Sequence, residues 1–432
     1  MTLKDMLFKD EDGEGVKSPC DYIHIKILRF TLLFISSWPM KELGEPQPYY
    51  QKTFLKYVYL FITVIGIIAA YQFVVLHFRE LNFMELGHMY IMIMMNAVNI
   101  SRIVTLSFST KYHNVAKEFL TTIHLFYFKE RSEFAMKTHK MVHRLSHLFS
   151  LFLFWQMVVG VCFFNLIPMY NNLSAGRYKK GGLQNSTFEH ALYYEYPFNF
   201  LTDVKGYIVA NLIHWCLSFL SATWFCMFDL ILSLMVFTLW GHFKILINSL
   251  NEFPRPASNS KHILENGFVV QAEKYTKEEL LQVTEKLKEC IQYHLKLVQF
   301  TDTMSDAFGP MLFIYYAFHQ ASGCLLLLEC SEMTAAALMR YVPLTIILFQ
   351  QLIQLSVIFE LVGSESGKLK DAVYGVPWES MDVPNRRILS IFLMNAQEPV
   401  HIKALGLANV GVTSMAAILK TSMSYFTFLR SM

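Results

Sequence analysis

Residues 401–432 read HIKALGLANVGVTSMAAILKTSMSYFTFLRSM, and this stretch decides whether the chain crosses a membrane an odd or an even number of times. As a helix, residues 404–432 are long enough to cross about 30 Å of hydrocarbon. Yet Asn409, Thr413, Lys420, Thr421, Ser424 and Ser431 interrupt them. Asn409, Thr413, Ala417, Lys420/Thr421, Ser424, Phe428 and Ser431 follow at steps of three or four, so they share one face. Leu407, Ile418, Leu419, Met423, Phe426 and Leu429 mostly fill the others. A polar stripe at membrane depth must meet protein or water. Ordinary helix packing, which favours Ser, Thr, Ala and Gly, satisfies that requirement, and so does a water-filled pore lined by one helix per subunit. Periodicity alone does not separate the two.

The rest of the chain sets the class. Of 432 residues, 54% are hydrophobic and only 16% charged, against about 25% charged in soluble domains. Apolar runs near membrane length fall at about 54–78, 83–107, 147–169, 205–236, 305–330 and 334–360. With about 404–430 they predict an all-α polytopic membrane protein of seven transmembrane helices. The net charge of +3 is too small to suggest nucleic acid. The acidic start MTLKDMLFKDEDGEG lacks the basic-then-apolar pattern of a cleaved signal peptide, so the first span is expected to do the targeting. DYIHIKILRFTLLFISSWP, residues 21–39, is apolar over too short a run to span and predicts an interfacial or re-entrant helix. Four regions follow: 1–53 with that helix, 54–360 with six spans, a 361–403 segment, and 404–432.

Lys and Arg cluster in the N-terminal segment, 108–146, 241–303 and 361–403, and thin out in the intervening connections. By the positive-inside rule the N-terminus is cytoplasmic, and seven spans leave the C-terminus extracellular. Sequons at Asn172 and Asn185, in the 170–204 loop, agree with that loop being outside and are expected glycosylation sites. Thr276 with Glu279 reads as a capping box. It opens a helix whose apolar face, Leu280, Val283, Leu287, Ile291, Leu295 and Val298, leads into the fifth span. His139, His143 and His147 recur at i, i+4, i+8 without the acidic partner of a metalloprotease helix, and are expected to be solvated cytoplasmic surface rather than a metal site. Seven scattered cysteines show neither metal nor redox spacing. Lys420 is an intramembrane charge whose obvious opposite is Asp229.

The final third resembles the C-terminal signature of insect odorant receptors. The resemblance is carried by SESGKLKDAVYGVPWESMDVPNRRILSIFLMNAQEPVHIKALGLANVGVTSMAAILKTSMSYFTFLRSM, and by ECIQYHLKLVQF with Cys290 and His294. PWESMDVPNRR, NAQEPVHIKALGLANVGVTSMA and SMSYFTFLRSM look like the moth sex-pheromone receptor branch. The resemblance implies a ligand-gated, non-selective cation channel of the plasma membrane of olfactory neuron dendrites. It also implies a heterotetramer with the odorant receptor co-receptor and no cofactor. Carried onto this chain, pore and gate fall on Ser424, Phe428, Ser431 and Met432, with Phe428 aromatic where an aliphatic gate residue is expected. The subunit anchor falls on Trp378, Arg386, Arg387 and the 276–303 helix. The ligand pocket falls in the outer halves of the second to sixth spans: Met89, Tyr90, Met94, Trp155, Val159, Phe163, Trp215, Phe219, Phe318 and Tyr341. A hydrophobic volatile ligand is implied, a long-chain unsaturated aldehyde, acetate or alcohol. A G-protein-coupled receptor also has seven spans. It needs an extracellular N-terminus, and the sequence lacks Asp-Arg-Tyr after the third span and Asn-Pro-x-x-Tyr at the seventh. No nucleophile elbow, HExxH or phosphate loop marks an enzyme.

Overall fold

A computed structural model describes residues 16–46, 54–79, 83–179, 187–257, 259–263, 269–331 and 335–431. The helices are α1 Ile23–Phe34, α2 Leu55–His77, α3 Phe83–Ile103, α4 Thr110–Glu118, α5 Glu133–Ser174, α6 Val204–Asn251, α7 Lys277–Cys330, α8 Ala335–Ser366, α9 Leu369–Tyr374, α10 Val383–Ala396 and α11 Val412–Ser431. Short 3-10 and π-helical turns, among them Phe119–Ile123 and Leu125–Tyr127, and two antiparallel hairpins complete the description. One pairs β1 Asn259–Ile263 with β2 Val269–Glu273, the other β3 Lys403–Ala404 with β4 Ala408–Asn409.

Helix starts follow local chemistry. Ser132 caps α5 by accepting from Ala135 N at 3.0 Å, and Asp203 caps α6 by accepting from Gly206 N at 3.0 Å. At α7 both halves of the Thr276–Glu279 capping box form. That helix continues unbroken for 54 residues, about 80 Å at 1.5 Å per residue, so the capped stalk and the fifth span are one rod. The apolar, almost wholly buried stretch of α6 from Thr223 to Leu246 runs through the middle of the bundle, as expected of a helix hydrophobic all round. It packs along α5 and α8.

Six helices are long and apolar enough to cross a membrane among the described residues. Seven were expected. The 20 residues of α11 reach about 30 Å, but their Ser, Thr and Lys hold that helix below the apolarity of the other six. Its start also moves from 404 to Val412. Leu405 and Gly406 adopt positive φ, 52° and 70°, and turn the chain into the β3–β4 hairpin. This hairpin lies so close on α7 that a Cβ at Gly309 would stand 3.0 Å from Leu405 N and from Lys403 O, which is why glycine sits there.

In the 21–39 region α1 buries one face, His24, Ile25, Leu28 and Leu32, against α5 and α6, and leaves Phe30 and Phe34 exposed. One further expectation changes: the histidines of α5 are not solvated. His139 and His143 are buried with His24 and His124 around Tyr22, whose hydroxyl is 2.9 Å from His139 Nε2, and His147 is buried one turn further along. The His24 and His143 rings lie 5.1 Å apart. Their i, i+4, i+8 spacing makes a packing stripe that α1 and the 119–127 turn cover. Among the described residues no group of three or more His, Cys, Asp or Glu is arranged to hold a metal ion.

Burial first, and neighbouring histidines second, push His24 and His124 well below the ordinary histidine value. Each therefore favours the folded state fully above the unfolded value of about 6.5. That contribution is lost as pH falls from there toward the depressed folded value, by about 1.4 kcal/mol per histidine at pH 5.5. Thermal unfolding of the purified receptor should be pH-independent between 7 and 8 and drop steeply below 6.5. A flat profile down to pH 5 would mean that these rings are hydrated in the folded chain.

Candidate ligand cavity and last helix

A cavity of about 190 Å³ opens among α3, α5, α6, α7 and α8. Its wall includes Met92 and Met95 of α3, Gln156, Met157 and Gly160 of α5, Ser218, Ser221, Ala222 and Phe225 of α6, Phe318 of α7, and Leu344, Leu348 and Gln351 of α8. A water needs about 10–15 Å³ on this measure, so the space suits a molecule of many heavy atoms. None of its lining residues is Asp, Glu, Lys or Arg, and a dry wall with a few amides and hydroxyls selects a neutral, mostly apolar guest. A smaller cavity of about 40 Å³ continues from it along His88, Gly160, Phe164 and Leu344 toward His190 and Ala191 of the 187–203 loop.

Beside the cavity lies a buried charge pair. Arg102, completely buried, donates from Nη2 to Asp229 Oδ1 at 3.1 Å and from Nη1 to the Phe225 carbonyl at 2.5 Å. Its guanidinium stacks 4.0 Å from the centre of the Phe225 ring, a ring that also lines the cavity. Asp229 therefore pairs with Arg102 of α3, not with Lys420. An arginine and an aspartate in two apolar spans were the sequence signal for this contact.

The last helix presents two faces. Met415, Ile418 and Leu419 pack on the core, and Ser422 is buried, accepting from Gln320 Nε2 at 3.3 Å. The polar stripe Thr413, Ala417, Lys420, Thr421, Ser424 and Phe428 is exposed. Thr421 and Ser424 donate to the carbonyls four residues back, at 2.7 and 2.9 Å. Glu360 of α8 sits on the N-terminus of α11, its Oε2 accepting from Val412 N at 3.1 Å, where a carboxylate meets the positive end of the helix dipole. One helix thus both lines the cavity and holds the base of the last helix.

A family model described as 7tm odorant receptor matches residues 82–423. The chain belongs to the insect odorant receptor family. It is similar to Drosophila melanogaster odorant receptor 67a, 27% identical over 213 residues, 47% of this chain and 46% of that one. It is also similar to D. melanogaster odorant receptor 85c, 26% identical over 149 residues, 34% and 38% of the two chains. The matched stretches span less than half the length of these relatives. The fold matches the insect olfactory receptor OR5 of Machilis hrabei, with a TM-score of 0.72 at 14% identity over 95% of this chain and 99% of that one. OR5 has also been solved in complex with eugenol, and that structure gives a TM-score of 0.71 at 14% identity over the same shares.

Within this odorant receptor fold, the ten residues expected at the ligand pocket separate. Phe318 lines the main cavity and Phe163 the smaller one. Met89 is buried in a second cluster with Phe73 and Leu192, and Tyr341 is buried with its ring 6.3 Å from that of His88. Tyr90, Trp155 and Phe219 point outward, Trp155 being 67% exposed. Met94, Val159 and Trp215 are half-buried and do not line either cavity. All ten lie on the helices that wall the two cavities, and eight of them line neither. Large aromatic residues tolerate lipid contact, whereas Gly160, Ser218, Ser221, Gln156 and Gln351 mark the inward faces.

Asn172 is corrected as a glycosylation site. It is fully buried, donating to the Glu189 carbonyl at 2.8 Å and accepting from Glu189 N at 2.9 Å and Arg177 Nη1 at 2.8 Å, so its amide is not available to a glycan. Asn185 and Met432 lie outside the described residues. Ser431 ends α11. In the expected anchor, Arg386 donates to the carbonyls of Trp378 at 3.0 Å and Glu379 at 2.7 Å, stapling that turn to α10. Arg387 is exposed, and so are Trp378, Tyr374, Val383, Ile391 and Met394.

Proposed function

We propose that this chain is the tuning subunit of a ligand-gated, non-selective cation channel that works as a heteromer with the odorant receptor co-receptor in the plasma membrane. The observation that carries the reading is the exposed polar stripe of α11, tied through Glu360 to a helix that lines the uncharged cavity. A membrane-depth face on which Thr, Lys and Ser stand exposed calls for water or another subunit. In this reading α11 is the seventh span, the N-terminus is cytoplasmic and the C-terminus extracellular. Ser424, Phe428, Ser431 and Met432 line the pore and its gate. The exposed apolar residues around Trp378, with Arg386 and Arg387 beside them, form the subunit anchor, and Asn185 is the glycan site. The ligand is a long-chain oxygenated hydrocarbon of the sex-pheromone type, an aldehyde, acetate or alcohol, held in the cavity. It binds the open arrangement more tightly than the closed one, and that difference sets how far gating shifts.

The test is whole-cell current from this chain expressed with the co-receptor, G-protein signalling blocked inside the pipette, under a panel of such ligands. A prompt cation current is the expected result. A response that needs G-protein signalling restored would favour a metabotropic receptor instead.

A further inference from the structure

A second, polar chamber of about 40 Å³ adjoins the main cavity, walled by α2, α3, α6 and the 187–203 loop. At about 10–15 Å³ each it has room for roughly three waters. Met95 and Ser221 belong to both walls, so the two spaces meet there. Most polar groups of the chamber have their donors engaged. Asn96 Nδ2 donates to the Met92 carbonyl and to the Tyr194 hydroxyl, Thr63 to the Tyr59 carbonyl and Tyr59 to the Phe34 carbonyl. Asn99 and Ser221 stand apart by place, since Ser221 lies in both walls and Asn99 pairs with it. Asn99 is 3% exposed, donates from Nδ2 to Ser221 Oγ at 2.5 Å, and keeps a buried carbonyl oxygen with no hydrogen-bond partner. Because Ser221 accepts from Asn99, its own O–H proton is left to donate. Ser218, the other serine of the main cavity, already donates to the His214 carbonyl.

The couple thus offers one donor and one acceptor where an apolar cavity meets a polar pocket. An aldehyde or ester oxygen can only accept; an alcohol hydroxyl both accepts and donates. We propose that Asn99 and Ser221 form a head-group subsite for a primary alcohol, whose hydrocarbon chain lies in the main cavity. This rests on the reading that the cavity holds the ligand.

The test uses the purified full-length receptor and tritiated dodecan-1-ol, competed by unlabelled dodecan-1-ol, dodecanal and dodecane. Dodecan-1-ol should compete at least tenfold better than dodecanal or dodecane. Ser221→Ala and Asn99→Leu should bring it down to the level of dodecane while dodecane itself competes as before, which separates lost recognition from a damaged fold. Equal potency of the three probes, an alcohol preference that survives both substitutions, or a parallel loss for all probes would overturn the subsite. No saturable binding of dodecan-1-ol to the unsubstituted receptor would overturn the cavity reading itself, and the subsite with it.

Discussion

Arg102→Leu is expected to remove the receptor from the cell surface. Arg102 and Asp229 are both buried, and the described contacts of the guanidinium are all internal: the carboxylate, the carbonyls of Trp224 and Phe225, and the rings of Phe225, Phe228 and Tyr315. Taking away one partner strands the other charge among apolar side chains, which costs about 3–5 kcal/mol. Whole-protein stabilities are only about 5–15 kcal/mol, so that loss is a large fraction of what holds the chain folded. Asp229→Asn should do comparable harm by leaving the arginine charge buried. The double substitution Arg102→Leu with Asp229→Leu should recover part of the loss, because a buried pair replaced by apolar groups is often neutral or stabilising, and contacting residues couple non-additively. Surface biotinylation of the three variants reads this out. Wild-type surface levels for both single variants would show that the pair carries no structural weight.

The sites that sequence reading missed share one physical origin. Apolar runs and capping residues are local, and they placed the helices well: the Thr276 box and the 54-residue rod behind it needed nothing from elsewhere in the chain. What a helix faces is decided by its neighbours. Trp155 and Gln156 are adjacent in sequence, yet about 100° of rotation on a helix of 3.6 residues per turn separates an outward indole from a cavity wall. The histidine stripe of α5 looked polar enough for solvent until α1 covered it, and Asn172 looked like a glycan acceptor until the 187–203 loop folded back onto it. Positive φ at Leu405 moved the start of the last helix by eight residues, and a leucine gives no notice of such a turn. The stripe on α11 was legible because helical periodicity alone defines it, but what water or partner it meets depends on chains beyond this one.

Gly160→Phe should abolish ligand response while leaving the protein at the surface. Gly160 is in the wall of both the main cavity and its extension toward the 187–203 loop, and a Cβ built there meets no heavy atom within 4 Å. A side chain at this position therefore enters open space. The contrast is Gly309, where a Cβ would press on the backbone of the β3–β4 hairpin, and where alanine should cost folding. A phenyl group at 160 occupies volume a ligand would need and narrows the passage from the loop. Sensitivity to an agonist found in the current assay should fall at least tenfold, about 1.4 kcal/mol of binding, with surface biotinylation unchanged. Gly160→Ala, which adds one methyl to an empty space, should shift the dose–response far less. An unchanged dose–response for Gly160→Phe at normal surface level would place the ligand outside this cavity, whatever else the channel does. A loss of surface protein with Gly160→Ala would instead make Gly160 a packing residue and leave the cavity too tight to hold a guest.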